Sequence, residues 1–152
     1  MIRVATVHDV AAFILEKKGS MSAMKLQKLV YYSQAWHLVW EERPLFSERI
    51  EAWANGPVAP ELYAKHRRMF TVNDWKQWGN PEALDAGEKS SIENVLSFYG
   101  SRPAHELSEL THREDPWRNA RGDLPPGANC RTEISTVDMH EYYDGLVGTS
   151  RS

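Results

Sequence analysis

Apolar residues are densest between Met24 and Trp40, in the run MKLQKLVYYSQAWHLVW. Leu26, Leu29, Val30, Ser33, Trp36, Val39 and Trp40 recur at steps of three and four, which is helical spacing. From Leu29 onward only Ser33, Gln34 and His37 are clearly polar, so this half is apolar almost all round. Helices of that kind are enclosed by other elements rather than laid on a surface. The pattern therefore predicts a central buried helix over about 24–40, with Lys25, Gln27 and Lys28 facing water at its start.

The rest of the chain supplies its packing partners. Thr6 and Asp9 have the spacing of a helix cap, and Val7, Val10, Ala11, Ile14 and Leu15 follow as one apolar stripe ended by Lys17-Lys18-Gly19. Ser22 is a cap for the central helix. Pro44 breaks that helix, and Leu45-Phe46 and Ile50–Trp53 read as a short hairpin or extended segment over about 45–53. Asn55-Gly56-Pro57 marks a turn, and Pro60 opens a third helix from Glu61 to about Met69. The 70–87 stretch is the least regular. Helices are predicted again over 88–99, with Ile92, Val95, Leu96 and Tyr99 inward, and over 104–112, with Leu107 and Leu110 inward. A short turn follows through Pro116-Trp117, then a loop over 121–131. A last helix to about Val147 presents Val137, His140, Tyr143 and Leu146 on one face. The expected architecture is mainly α: one compact helical domain over 1–148, with a frayed tail at 149–152.

Composition narrows the function classes. A hydrophobic share of 41% with 26% charged residues is ordinary for a globular chain. A net charge of −3 gives no general field for nucleic acid, and the Lys65-His66-Arg67-Arg68 cluster is too short to supply one. Cys130 is the single cysteine, so neither an internal disulfide nor a thiolate metal cage forms, which suits a reducing cytoplasm. No segment has the apolar length a bilayer demands, and the N-terminus lacks the pattern of a secretion signal.

Candidate chemistry is thin. His105 and His112 lie two helical turns apart with Glu106 and Glu109 between them, and a metal or hydrolytic site could be drawn there. The close His spacing that makes zinc sites recognisable is absent, and a solvated acidic face explains the residues. His37 sits in the apolar helix with no nucleophile beside it. No glycine loop cradles phosphate. The expectation is no enzyme, no cofactor and no metal. Aromatic residues on irregular segments say more: Trp75 and Trp78 either fold back onto the core or serve a partner. For Trp53, packing is the first expectation.

Two blocks together resemble a known family. MKLQKLVYYSQAWHLVWEERPLFSERIEAWANGPVAPELYAKHR and PAHELSELTHREDPWRNAR are similar to the Panacea domain of SocA-like and phage-associated GepA-like proteins. The resemblance implies a helical antitoxin of a toxin–antitoxin pair, whose partner is a cognate protein toxin neutralised by direct binding. SocA-like members deliver the toxin to a ClpXP-type protease instead, so an adaptor role is the alternative. The recurrent residues Leu26, Leu29, Tyr31, Tyr32, Trp36, His37, Trp53, Gly56, Pro57, Leu107, Leu110, Thr111 and Trp117 coincide with core and turn positions, and are expected to specify the scaffold. A partner would then be gripped elsewhere, and Tyr63, Arg67, Arg68, Trp75 and Trp78 are the candidates. Neither membrane nor nucleic acid is expected as a partner.

Overall fold

Central to the fold is α2 (Ala23–Glu41), with α1 (Val7–Lys18), α4 (Ala86–Tyr99), α5 (Ala104–His112) and α7 (Thr136–Arg151) packed around it. Two shorter helices, α3 (Pro60–His66) and α6 (Asp115–Arg121), complete a mainly α architecture. The computed structural model describes residues 4–151, with side chains through Val147; Ser152, in the expected tail, lies outside the described residues. The last helix continues to Arg151 rather than ending near Val147.

The local signals behind α1 and α2 hold. Thr6 Oγ1 accepts from the Asp9 amide at 3.2 Å while Asp9 Oδ2 accepts from the Thr6 amide at 2.9 Å, a reciprocal cap. Ser22 Oγ accepts from the Lys25 amide at 3.1 Å. Val30 is fully buried and Trp36 half-buried, as an enclosed helix requires. The polar start of α2 departs from expectation, because Gln27 and Lys28 are buried and only Lys25 is partly open.

Gln27 and Gln34, seven residues apart on α2, act as backbone surrogates. Gln27 accepts from the Ala59 amide at 2.9 Å and donates to the Ala59 carbonyl at 3.2 Å. Gln34 accepts from the Leu45 amide at 2.7 Å and donates to the Phe46 carbonyl at 2.8 Å. Each glutamine satisfies buried peptide groups of an irregular segment, which would otherwise cost about 1–3 kcal/mol apiece.

Two small antiparallel sheets pin the connections. The hairpin joins β2 (Glu51–Trp53) to β3 (Gly56–Val58) across Ala54-Asn55, so it lies one strand later than the 45–53 reading placed it. Leu45 and Phe46 are buried without strand structure, since Gln34 takes their peptide groups. Gly56 adopts φ +122°, which glycine alone tolerates readily, and a Cβ there would overlap the Lys28 side chain. The second sheet pairs β1 (Met21–Ser22) with β4 (Thr71–Val72).

The inward face of α7 also differs. Met139 and Tyr143 are buried, whereas Val137 and Leu146 are exposed. Tyr143 turns inward because its hydroxyl has two partners there: it donates to Glu114 Oε1 at 2.8 Å and lies 3.0 Å from the Tyr31 hydroxyl. Tyr32 donates to the same carboxylate oxygen at 2.7 Å and stacks on Tyr99 at 4.1 Å. Burial raises the Glu114 carboxyl above its ordinary pKa, opposed by the two tyrosine donors. Burial likewise lifts the Tyr31, Tyr32 and Tyr143 hydroxyls. Most of the recurrent residues are buried here, with Trp36, Trp53 and Leu110 half-buried. Trp40, expected to pack, is 42% exposed at the end of α2.

Candidate partner-binding groove

A groove of about 730 Å³ opens between the start of α2, the hairpin, α3, and the 129–131 loop. The hairpin brings Trp53 to it, with the indole N–H donating to Glu51 Oε1 at 2.8 Å. Tyr63 projects from α3 and meets the Trp53 ring edge-on at 4.8 Å. The Arg131 guanidinium lies 5.7 Å from the Trp53 ring centre. Phe70, 85% exposed, and Met69, 46% exposed, border the groove where α3 gives way to β4. Met24 faces them from the first turn of α2, and Phe70 is held by its carbonyl, which accepts from the Ala23 amide at 2.8 Å. Apolar side chains that stand clear of the core in one place are the usual mark of a contact surface.

The loop behind Arg131 is built by one buried arginine. Arg121 donates to the Ala52 carbonyl at 3.0 Å, to Pro125 at 3.0 Å and to Ala128 at 2.7 Å, with its guanidinium 4.9 Å from the Trp117 ring centre. Trp117 in turn donates to the Trp53 carbonyl at 2.8 Å. Hairpin, α6 and the 121–131 loop are therefore tied together beneath the groove.

The Lys, Arg and His residues lining the groove are Lys28, His66, Arg67, His105 and Arg131, and neither aspartate nor glutamate is among the described lining residues. Lys28 is 1% exposed, yet lines the groove, so it lies in the floor beneath Gly56 and near Thr111. Burial lowers its ammonium from 10.5 to about 7, and among the described residues no carboxylate acts on it in the opposite direction. Gln27 donates to His66 Nε2 at 2.9 Å, which makes His66 an acceptor and keeps it neutral. Burial lowers the His66 pKa, as does the charge of Lys28. His112, stacked on Trp117 at 4.1 Å, is lowered by burial and then by Lys28; its Nε2 is buried without a partner.

The five residues expected at a partner surface fall in different places. Tyr63 and Arg67 line the groove, and Arg68 is exposed outside it. Trp78 is half-buried, with the Lys65 ammonium 5.9 Å from its ring centre. Trp75, at 1% exposure, belongs to the core: its indole donates to His8 Nδ1 at 3.2 Å, and Trp78 lies 4.9 Å away. A ring so enclosed offers no surface to a partner, so Trp75 leaves the patch. Sequence reasoning missed Lys28, Met24, Met69, Phe70 and Arg131. Lys28 had one visible signal, since it stands three and four residues before Tyr31 and Tyr32 and shares their buried side of α2.

The His105/Glu106/Glu109/His112 set does not assemble. Glu106 pairs with Arg102 at 3.0 Å, His105 and Glu109 are exposed, and the His112 ring is stacked on Trp117. Among the described residues, no three His, Cys, Asp or Glu side chains gather closely enough to hold a metal ion. Among them too, no helix is long and apolar enough to cross a membrane.

Fold and groove together define a mainly helical protein with an aromatic, basic recess. Comparison makes this specific: residues 26–118 match the family model described as antitoxin SocA-like, Panacea domain. Antitoxin SocA of Caulobacter vibrioides (strain NA1000 / CB15N) is 32% identical over 130 residues, covering 71% of this chain. The alignment takes in 66% of that relative's own length. No solved structure matches. The chain belongs to the SocA-like Panacea-domain antitoxin family.

Proposed function

We propose that this protein is the antitoxin of a toxin–antitoxin pair, and that it neutralises a cognate protein toxin by direct binding rather than by catalysis. The family match over 26–118 carries this reading, because it spans most of the elements that build the groove. The groove adds a physical means. Aromatic and arginine side chains are the residue types that dominate binding energy at protein interfaces, and Trp53, Tyr63, Phe70, Arg67 and Arg131 are grouped here. Half-buried rings and a hairpin fastened through Trp117 and Arg121 lose little freedom on binding.

The test begins with the open reading frame adjacent to this chain's own. Its product, expressed alone, is expected to arrest growth, and co-expression of this protein is expected to restore growth and yield a co-purifying complex. A product that is harmless, or whose toxicity persists beside a well-expressed antitoxin, refutes the reading. Masking leaves the toxin's half-life unchanged on co-expression. A half-life shortened only in the presence of a ClpXP-type protease would replace masking by delivery.

A further inference from the structure

Lys28 is a lysine buried to 1% exposure whose ammonium is disfavoured by burial. Its stem is enclosed beneath Gly56 and near Thr111, and its charge lowers the pKa of both His66 and His112. Among the described residues no carboxylate lines the groove, although the chain as a whole carries 21 acidic residues against 18 lysines and arginines. An enclosed cation without a counter-charge is a standing cost, and costs of that kind concentrate at sites kept for a ligand. What surrounds the opening is apolar and aromatic: Met24, Trp53, Tyr63, Met69 and Phe70.

We propose that the groove receives an acidic side chain of the bound toxin, an aspartate or glutamate flanked by apolar residues, with its carboxylate paired to Lys28 and its neighbours seated on Trp53, Tyr63 and Phe70. This rests on the antitoxin reading and names the chemistry its partner must carry. A protein segment suits the recess better than a free anion, because the rim is built for apolar contact as much as for charge. Arg67 and Arg131 at the mouth draw the carboxylate inward, and Lys28 holds it where water is largely excluded. Pairing gives the enclosed ammonium of Lys28 a counter-charge, so binding restores part of what its burial costs.

The experiment uses the full chain and the product of the adjacent open reading frame in an inactive form. Lys28→Met keeps an unbranched, flexible stem of four atoms and removes the terminal ammonium. Its affinity for the toxin is expected to fall at least about thirtyfold, in line with losing one partner of an enclosed ion pair. Lys17→Met, outside the groove, is expected to bind as wild type does. Each toxin aspartate and glutamate is then replaced by its amide. A single toxin carboxylate is expected to couple: its loss weakens wild type about as much as Lys28→Met does, yet costs the Lys28→Met variant almost nothing further. Lys28→Met binding with unchanged affinity overturns the inference and leaves the antitoxin reading intact. Weakened binding with no coupled carboxylate also overturns it, and a Lys28 ¹³Cε resonance shifted by inorganic phosphate alone would then assign the recess to a small anion. Wild-type protein forming no complex with a demonstrated toxin overturns both.

Discussion

Replacing Lys28 by methionine should make the isolated protein more stable, and the size of the gain follows from its surroundings. Burial takes the ammonium from 10.5 to about 7, with no charge among the described residues offsetting it. Each tenfold loss of proton affinity is about 1.4 kcal/mol, so holding the charge costs the folded state about 5 kcal/mol at pH values well below 7. The sign is set by which state binds the proton more tightly. Between about pH 7 and 10.5 the unfolded chain keeps it and the folded chain sheds it, so wild-type stability gains on this account as pH rises. The variant lacks that dependence. The advantage of Lys28→Met should therefore be about 4 kcal/mol at pH 7.5 and shrink to about 1.5 kcal/mol at pH 9.5. His66 and His112, both lowered by burial, are already neutral across that window and do not confuse the comparison. At pH 7.5 the gain corresponds to a melting temperature higher by about 12 °C for a chain of this size. Urea unfolding followed by circular dichroism at the two pH values measures it. A variant less stable than wild type at pH 7.5, or an advantage that fails to narrow toward pH 9.5, refutes the reasoning, because either result requires a partner for the ammonium inside the free protein.

Four further perturbations separate scaffold from surface. Trp75→Ala should cost about 3–5 kcal/mol of stability by emptying an enclosed site, so its loss of toxin rescue should be accompanied by a lower melting temperature. Arg67→Ala combined with Phe70→Ala should behave in the opposite way, abolishing rescue in the co-expression assay with the melting temperature nearly unchanged, since both side chains are exposed. Gly56→Ala should destabilise by more than about 2 kcal/mol in chemical unfolding, because φ +122° is strained for alanine and the new methyl collides with Lys28. Glu114 has a raised pKa, so the folded state holds its proton more tightly than the unfolded chain does, and stability declines as pH rises from about 4.5 through the folded value. Glu114→Gln should flatten that decline in unfolding curves taken across acid to neutral pH.

Much of the helical frame was legible because its signals are local. The Thr6–Asp9 cap, the Ser22 cap and the apolar density after Leu29 each act within a few residues. Features decided by distant neighbours were not legible. Lys28 looked like a solvated lysine until a hairpin, turned by a glycine at unusual φ, closed over it. For α7, Val137 and Leu146 outweigh Met139 in hydropathy, but the choice of face went to Tyr143, whose hydroxyl joins Tyr31 and Glu114. Trp75 lay in a polar, irregular stretch that left core and partner surface equally open, and its docking against His8 of α1, His66 and Trp78 decided for the core. The groove was half visible: Tyr63 and Arg67 were expected there, while Met24, Met69 and Phe70 come together only when β1 and β4 pair.

The paired amides of Gln27 and Gln34 carry a consequence for how the chain can vary. An amide side chain reads the peptide group and ignores what hangs from it. Positions 45, 46 and 59 can thus change identity within the limits of packing and remain fastened at the same height on α2. Proline is the exception at 45 and 59, where the N–H itself is the contact. The segments fastened by these two amides are in this way free to be rewritten around a fixed axle.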